Sequence, residues 1–170
     1  MTEQILFDHQ EVEAALNQMA DAMAAPEVYL VGIHSGAAEV ADDIQSRLEA
    51  RDISVNRGNL DISFYRDDLD TIAPHPLVQT SELPFDVSGK EIWLVDDVLY
   101  TGRTIRAAMD ELFDYGRPAA IRLAVLVDRG GRQLPIAAES AGLRHEAPAD
   151  CSVELVTDGA WIIEQRQVKS

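Results

Sequence analysis

Apolar residues recur at helical spacing at Val12, Leu16, Met19 and Met23, with acids between them. This predicts an amphipathic helix over about residues 9–24, stopped by Pro26. The run "VYLVGI" (28–33) predicts a short buried strand, with a turn over Gly32–Gly36. Ala37, Val40, Ala41, Ile44 and Leu48 then line one face of a second helix. "ISVN" and "LDISFY" predict two strands, the second alternating Leu60, Ile62 and Phe64 with polar residues. Residues 66 to about 88 carry three prolines and no clean period, the pattern of a flexible lid loop. Next come a strand "EIWLV", a turn "DDVLYTG", and a helix with Ile105, Met109 and Leu112 inside, closed by Gly116 and Pro118. "AAIRLAVLV" (119–127) predicts another buried strand, "DRGGRQLP" a loop, and "SVELV" and "AWIIEQ" short β segments.

Strands that are continuous apolar runs, alternating with helices, predict an α/β fold. Its central sheet is mainly parallel and covered by helices on both faces. The 170 residues suit one domain, 1–170. In such sheets ligands sit at the carboxyl ends of the strands, so the turns there are the places to look for chemistry.

The turn at Asp96–Thr104 is the most informative. A buried strand delivers two adjacent carboxylates, Asp96 and Asp97, which call for a cation or hydroxyl donors. Val98, Leu99, Tyr100, Thr101 and Gly102 follow and lead into a helix N-terminus, where free N–H groups and the dipole favour an anion. Gly102 allows close backbone approach, Thr101 and Thr104 bring hydroxyls, and Arg103 brings a cation. One end suits a diol and the other a phosphate, a spacing that fits a ribose 5-phosphate. The bland alternative is a polar strand end followed by a capped helix. A nucleotidase with a phosphate-binding glycine loop is excluded, because the chain's two lysines, Lys90 and Lys169, follow no such loop.

"IWLVDDVLYTGRT" (92–104) resembles the phosphoribosyl-pyrophosphate signature of type I phosphoribosyltransferases. Together with "DISFYRDDL" (61–69), "FDYGRPAAIRLAVLVDRGGRQLPI" (113–136) and "VGI" (31–33), it resembles the PyrR family, over about residues 28–136. The resemblance implies a type I phosphoribosyltransferase fold and two activities. One is regulation of pyrimidine-gene expression through a leader RNA. The other is transfer of phosphoribose from phosphoribosyl pyrophosphate to uracil, giving UMP and pyrophosphate. It implies that Asp96 and Asp97 hold the ribose hydroxyls and, indirectly, Mg²⁺ carried by the substrate. Residues 66–88 become a lid, with Arg66 at its base as a pyrophosphate contact, against the alternative of a surface pair with Asp67 or Asp68. Val127 and Asp128 supply backbone contacts to the base, and Arg129 adds another. The turn at His34, Ser35 and Gly36 holds pyrophosphate. Where many members of the family carry Lys and Arg there, this chain reads "GIHSGA", so His34 contributes charge only when protonated. A catalytically weak binder of UMP or phosphoribosyl pyrophosphate, without strong RNA binding, is the alternative function. The family is expected to be at least dimeric.

The charge balance bears on the RNA. Fourteen basic residues stand against 30 acidic, for a net charge of −16. Residues 1–60 hold three basic side chains against eleven acids, and residues 118–170 hold six against seven. Any anion-binding face is therefore expected in the second half. The single cysteine, Cys151, permits no internal disulfide and suits a reducing cytosol. The acidic first residues lack the pattern of a signal peptide, and the apolar runs are too short to span a bilayer, so a cytoplasmic location without membrane attachment is expected. His9, His75 and His145 show no metal-ligand spacing. Phosphate neutralisation needs Lys and Arg. A gel shift with leader RNA near physiological salt is therefore expected to show weak binding or none; tight, UMP-dependent retardation would contradict this.

Overall fold

The computed structural model describes residues 2–33, 36–62 and 81–168. Arg66, His34 and Ser35, and residues 66–80 of the expected lid, lie outside them. In chain order the elements are β1 (Glu3–Phe7), α1 (His9–Met23), β2 (Glu27–Ile33), α2 (Ala37–Glu49), β3 (Ser54–Leu60), β4 (Glu91–Leu99), α3 (Arg103–Phe113), β5 (Ala120–Asp128), β6 (Ser140–Arg144), β7 (Cys151–Val156) and β8 (Ile162–Gln167). Five strands form a parallel sheet in the order β3-β2-β4-β5-β6. The other three form a separate antiparallel sheet, β1-β8-β7.

The helices start and stop for local reasons. Asp8 caps α1, its carboxylate accepting the Glu11 N–H at 2.9 Å while the Glu11 side chain accepts the Asp8 N–H at 2.9 Å. Val12, Leu16, Met19 and Met23 face inward, as their spacing predicts. Side chains of the parallel strands alternate between two cores. Val28 and Leu30 of β2 and Val95 of β4 pack with α1 and α2 on one face. Val31, Ile33, Ile92, Leu94, Leu123 and Val125 pack with α3 on the other. The expected cover on both faces is therefore present.

Four strands differ from expectation. "ISVN" and the start of "LDISFY" form one strand, β3, that ends at Leu60; Asp61 and Ile62 lie beyond it. Gly58 inside that strand is what broke the pattern. A Cβ there would come within 2.9 Å of the Glu82 carbonyl and 2.7 Å of Leu83 Cδ2, so the glycine marks a close crossing and not a chain break. Strand β4 runs through both aspartates to Leu99, so the turn starts at Tyr100 and not at Asp96. Strands β1 and β6 have no clear alternation, being short and half-exposed, and were not expected.

The segment 81–88, read as the end of the lid loop, is held in place. Asn59 and Glu82 exchange backbone hydrogen bonds at 2.8 and 2.9 Å, the Ser81 hydroxyl accepts the Asp61 N–H at 2.8 Å, and Val87 is buried. The stretch available to a lid ends at residue 80. Leu30 is fully buried between α1 and α2 on the middle of the sheet. Leu30→Ala is expected to cost about 2–5 kcal/mol, from lost transfer energy and a cavity. Urea unfolding should show a lower midpoint with an unchanged slope.

Candidate functional site

The order β3-β2-β4-β5-β6 contains a switch point. From β2 the chain passes through α2 to β3 on one side; from β4 it passes through α3 to β5 on the other. The two helices therefore leave the sheet on opposite faces, and a crevice opens between the carboxyl ends of β2 and β4. Of the turns singled out from sequence, Asp96–Thr104 and the Gly36 end of the first border it; the one at Tyr65–Asp68 lies outside the described residues.

Asp97 is half-buried and lies against the start of α2. A Cβ added to Gly36, the residue before that helix, would sit 2.7 Å from Asp97 Oδ2. A side chain larger than hydrogen at position 36 thus has no room without moving the carboxylate. Asp96 is 6% exposed. Its Oδ1 accepts the Asp97 N–H at 2.9 Å, and Asp97 Oδ1 accepts the Val98 N–H at 2.8 Å. Burial, followed by the neighbouring Asp97 charge and its hydrogen bond, pushes the Asp96 carboxyl well above the ordinary carboxylate range. The pair thus sets the half-buried Asp97 in front of a buried carboxyl that resists ionisation.

Beyond Leu99, which is buried, the chain turns at Tyr100 and Thr101 into α3. Gly102 precedes the helix with φ of 95°, a left-handed conformation that disfavours any other residue. It is also closely packed, since a Cβ there would meet Ile136 at 3.3 Å. The Thr101 hydroxyl accepts the Arg103 N–H at 3.2 Å. Arg103 and Thr104 lie exposed on the first turn, with Arg103 Nε donating to Gln133 at 3.1 Å.

At the end of β5, Val127 is fully buried. Asp128 accepts from Arg132 Nη2 through both oxygens at 2.8 Å, from the Gly130 N–H at 3.0 Å, and from Arg144 at 3.4 Å. Burial alone would raise this carboxyl. The Arg132 and Gly130 hydrogen bonds and the two arginine charges outweigh it and hold the group below the usual range. Arg129, expected to reach the base, is 2% exposed and instead donates to the carbonyls of Cys151 (2.6 Å), Pro148 (2.9 Å) and Ala147 (3.3 Å). Its guanidinium lies 3.8 Å from the centre of the Tyr100 ring. The Asp128 carbonyl accepts the His145 N–H, and the Arg129 N–H donates to Leu99. The side chain of Arg129 is therefore an internal tie between this loop and the segment leading into β7.

Tyr100 is also packed against Gly131, whose added Cβ would lie 2.4 Å from the ring. Gly131 has a φ of 81°. Arg132 Nη1 donates to the Tyr100 carbonyl. The turn after β4 and the loop after β5 are thus locked together. Sequence reasoning missed Gly131, Arg132 and Arg144; the adjacent glycines 130 and 131, both with positive φ, were the available signal. A cleft of about 220 Å³ opens beside Asp128, lined also by Gly130, Arg132, Arg144, His145 and Glu146. His145 Nε2 lies 3.2 Å from Gln165 Oε1.

Behind the first turn lies a residue that sequence reasoning had counted only towards charge. Arg57 on β3 donates to the Gly58 carbonyl, to the Ala38 carbonyl at 3.1 Å and to Asp42 at 3.1 Å. Burial lowers its pKa, with Asp42 acting the other way. Among the described residues no group of three or more His, Cys, Asp or Glu side chains is placed to hold a metal ion. No helix among the described residues is long and apolar enough to cross a membrane.

Comparison with known proteins matches residues 2–152 to the phosphoribosyl transferase domain. The chain is 42% identical to the bifunctional protein PyrR of Deinococcus radiodurans over 94% of this chain and 92% of the relative. It is 47% identical to the protein of the same name from a Roseiflexus species, over 84% and 81%. Among solved structures, the hypoxanthine phosphoribosyltransferase of Trypanosoma cruzi superposes with a TM-score of 0.69 at 18% identity, over 98% of this chain and 97% of that one. At that identity the likeness carries the fold alone.

The burial of Asp96 sets a pH signature. Its folded pKa lies above the unfolded value of about 3.9, so the folded state holds the extra proton and loses relative stability as pH rises through that window. Asp96→Asn keeps the oxygen that accepts the Asp97 N–H and removes the titration. Its melting temperature relative to wild type is expected to climb as pH is raised from 4 to 8. A gap that stays constant with pH would contradict the assignment.

Proposed function

The chain belongs to the PyrR family of phosphoribosyl transferases, and on that premise we propose that it transfers phosphoribose from phosphoribosyl pyrophosphate to uracil. The observation that supports this most directly is the crevice at the switch point. A carboxylate pair on β4 stands there against Gly36 at the start of α2, and the N-terminus of α3 follows a few residues along the chain.

The roles follow from what each part offers. Asp97, with Asp96 behind it, accepts hydrogen bonds from the ribose 2- and 3-hydroxyls. As the C1–oxygen bond to pyrophosphate lengthens, positive charge grows on the ribose, and the Asp97 carboxylate favours it electrostatically. The backbone N–H groups of Thr101–Thr104 and the hydroxyls of Thr101 and Thr104 receive the 5-phosphate at the start of α3. The first turn, His34–Ser35–Gly36, receives the departing pyrophosphate, with Arg66 as a second cation. Val98 and Leu99 shape the strand below the sugar. Mg²⁺ entering with the diphosphate neutralises its oxygens. The cleft beside Asp128 is the candidate for uracil, with Asp128 on its wall and Val127 and Arg129 as its chain neighbours. Residues 66–80 are the lid that keeps water from the sugar cation.

Regulation of pyrimidine genes through RNA is the second activity of this reading, and homo-oligomers in the cytoplasm are its expected form. Net charge −16 argues that any RNA contact is local and salt-sensitive.

Phosphoribosyl pyrophosphate with Mg²⁺, and UMP, are each expected to raise the melting temperature by mass action. GMP and hypoxanthine should not. Labelled uracil should be converted to UMP by wild type, and Asp97→Asn should lower kcat by roughly 10²–10³. No ligand-induced shift together with no UMP would refute the assignment.

A further inference from the structure

The turn between β4 and α3 is held by its carbonyl oxygens. The Tyr100 carbonyl accepts from Arg132 Nη1, and the Thr101 carbonyl accepts the N–H groups of Gln133 and Leu134 at 2.9 and 3.1 Å. Both oxygens are therefore taken by the loop after β5. A trans peptide is flat, with its N–H directed opposite to its C=O. Fixing the Tyr100 oxygen thus turns the Thr101 N–H away from that loop, and fixing the Thr101 oxygen does the same for the Gly102 N–H. Among the described residues neither N–H donates to another group. Two successive backbone donors, unpaired and turned away from the same loop, make a concavity for an anion.

The two oxygens are held by different means. Gln133 and Leu134 bind with their backbones, which almost any residue could supply. The Tyr100 oxygen is bound by a side chain, so the residue type at 132 matters. An arginine suits the place because its fork spans two acceptors. Nη2 meets both Asp128 oxygens at 2.8 Å while Nη1 reaches the Tyr100 carbonyl. The Asp128 side chain is only 10% exposed, so the carboxylate that anchors the fork is shielded from water.

We propose that Arg132 is a positioning residue for the 5-phosphate: anchored on Asp128, it holds the Tyr100–Thr101 peptide so that the Thr101 and Gly102 N–H groups face the ligand. It acts through the orientation of the backbone and not through its own charge. The assignment rests on the phosphoribosyl-transfer reading above, which puts the 5-phosphate at the start of α3. Arg132 also lines the cleft assigned to uracil, so its effect on the phosphate has to be separated from any effect on the base.

UMP and uridine make that separation, because they share base and sugar and differ by the phosphate. Calorimetric Kd values for both are measured with wild type, Arg132→Met and Arg132→Lys. The ratio of the uridine Kd to the UMP Kd reports what the phosphate adds, and any contact of Arg132 with the base cancels from it. Arg132→Met is expected to lower this ratio roughly five- to twenty-fold, from lost preorganisation of the two N–H groups. The fall should persist at about 0.5 M salt, where the field of a charge is screened. Arg132→Lys should lower the ratio roughly two- to five-fold, since an ammonium lacks the fork that spans both acceptors. If Arg132→Met does not fold, Arg132→Lys decides: a lowered ratio supports the assignment and a wild-type ratio overturns it. A general loosening of the fold, or a role confined to the base, would weaken both ligands by one factor and leave the ratio unchanged. That result, or a fall that disappears in salt, would overturn this inference alone. Wild-type protein that binds neither UMP nor phosphoribosyl pyrophosphate would overturn the functional reading, and the inference with it.

Discussion

A half-buried carboxylate at the sheet's switch point, pressed against a residue with no side chain, is the contact on which the site depends. Asp97 stands on β4, the middle strand, and Gly36 begins the helix that leaves the neighbouring strand. The parallel order forces those two points together, because β2 and β4 send their helices to opposite faces. On the proposed reading, a sugar would enter through the gap they share. The fold supplies the place; the choice of glycine at 36 keeps the gap open; the acid gives it a sign.

Around that contact the charges are sorted by burial. Asp96 sits behind Asp97, sealed and resistant to ionisation. Asp128 is the reverse case, a nearly buried carboxylate kept ionised by two arginines and an amide. Arg129 is the most enclosed cation of the neighbourhood, and it faces carbonyls and an aromatic ring. In each case the residue type was visible in the sequence, but its neighbours decided what it does.

That is also where legibility ended. The helices and three of the five parallel strands could be read because their apolar periods are strong: Val12, Leu16, Met19 and Met23 for α1, and the unbroken runs of β2, β4 and β5. The run Asp96–Thr104 pointed to the site because two acids before a small-residue turn have few other uses. Strands β1 and β6 could not be read, since half-exposed five-residue strands carry almost no pattern. Gly58 split β3 in two on paper because a glycine inside a strand reports a close neighbour only once the neighbour, Glu82–Leu83, is known. The orientation of Arg129 and the reach of Arg57 depend on contacts twenty residues or so away in the chain, which no local pattern encodes.

The ring of Tyr100, packed against both the guanidinium of Arg129 and the bare backbone of Gly131, has a consequence for how this scaffold can diversify. The turn after β4 and the loop beside the Asp128 cleft, proposed to hold the sugar and the base, share a single aromatic spacer, so neither can drift in sequence by itself. Changing which base is accepted would mean exchanging residues 98–102 and 127–133 as one cassette. Single substitutions at Gly131 would be filtered out as folding defects before any new preference could be expressed.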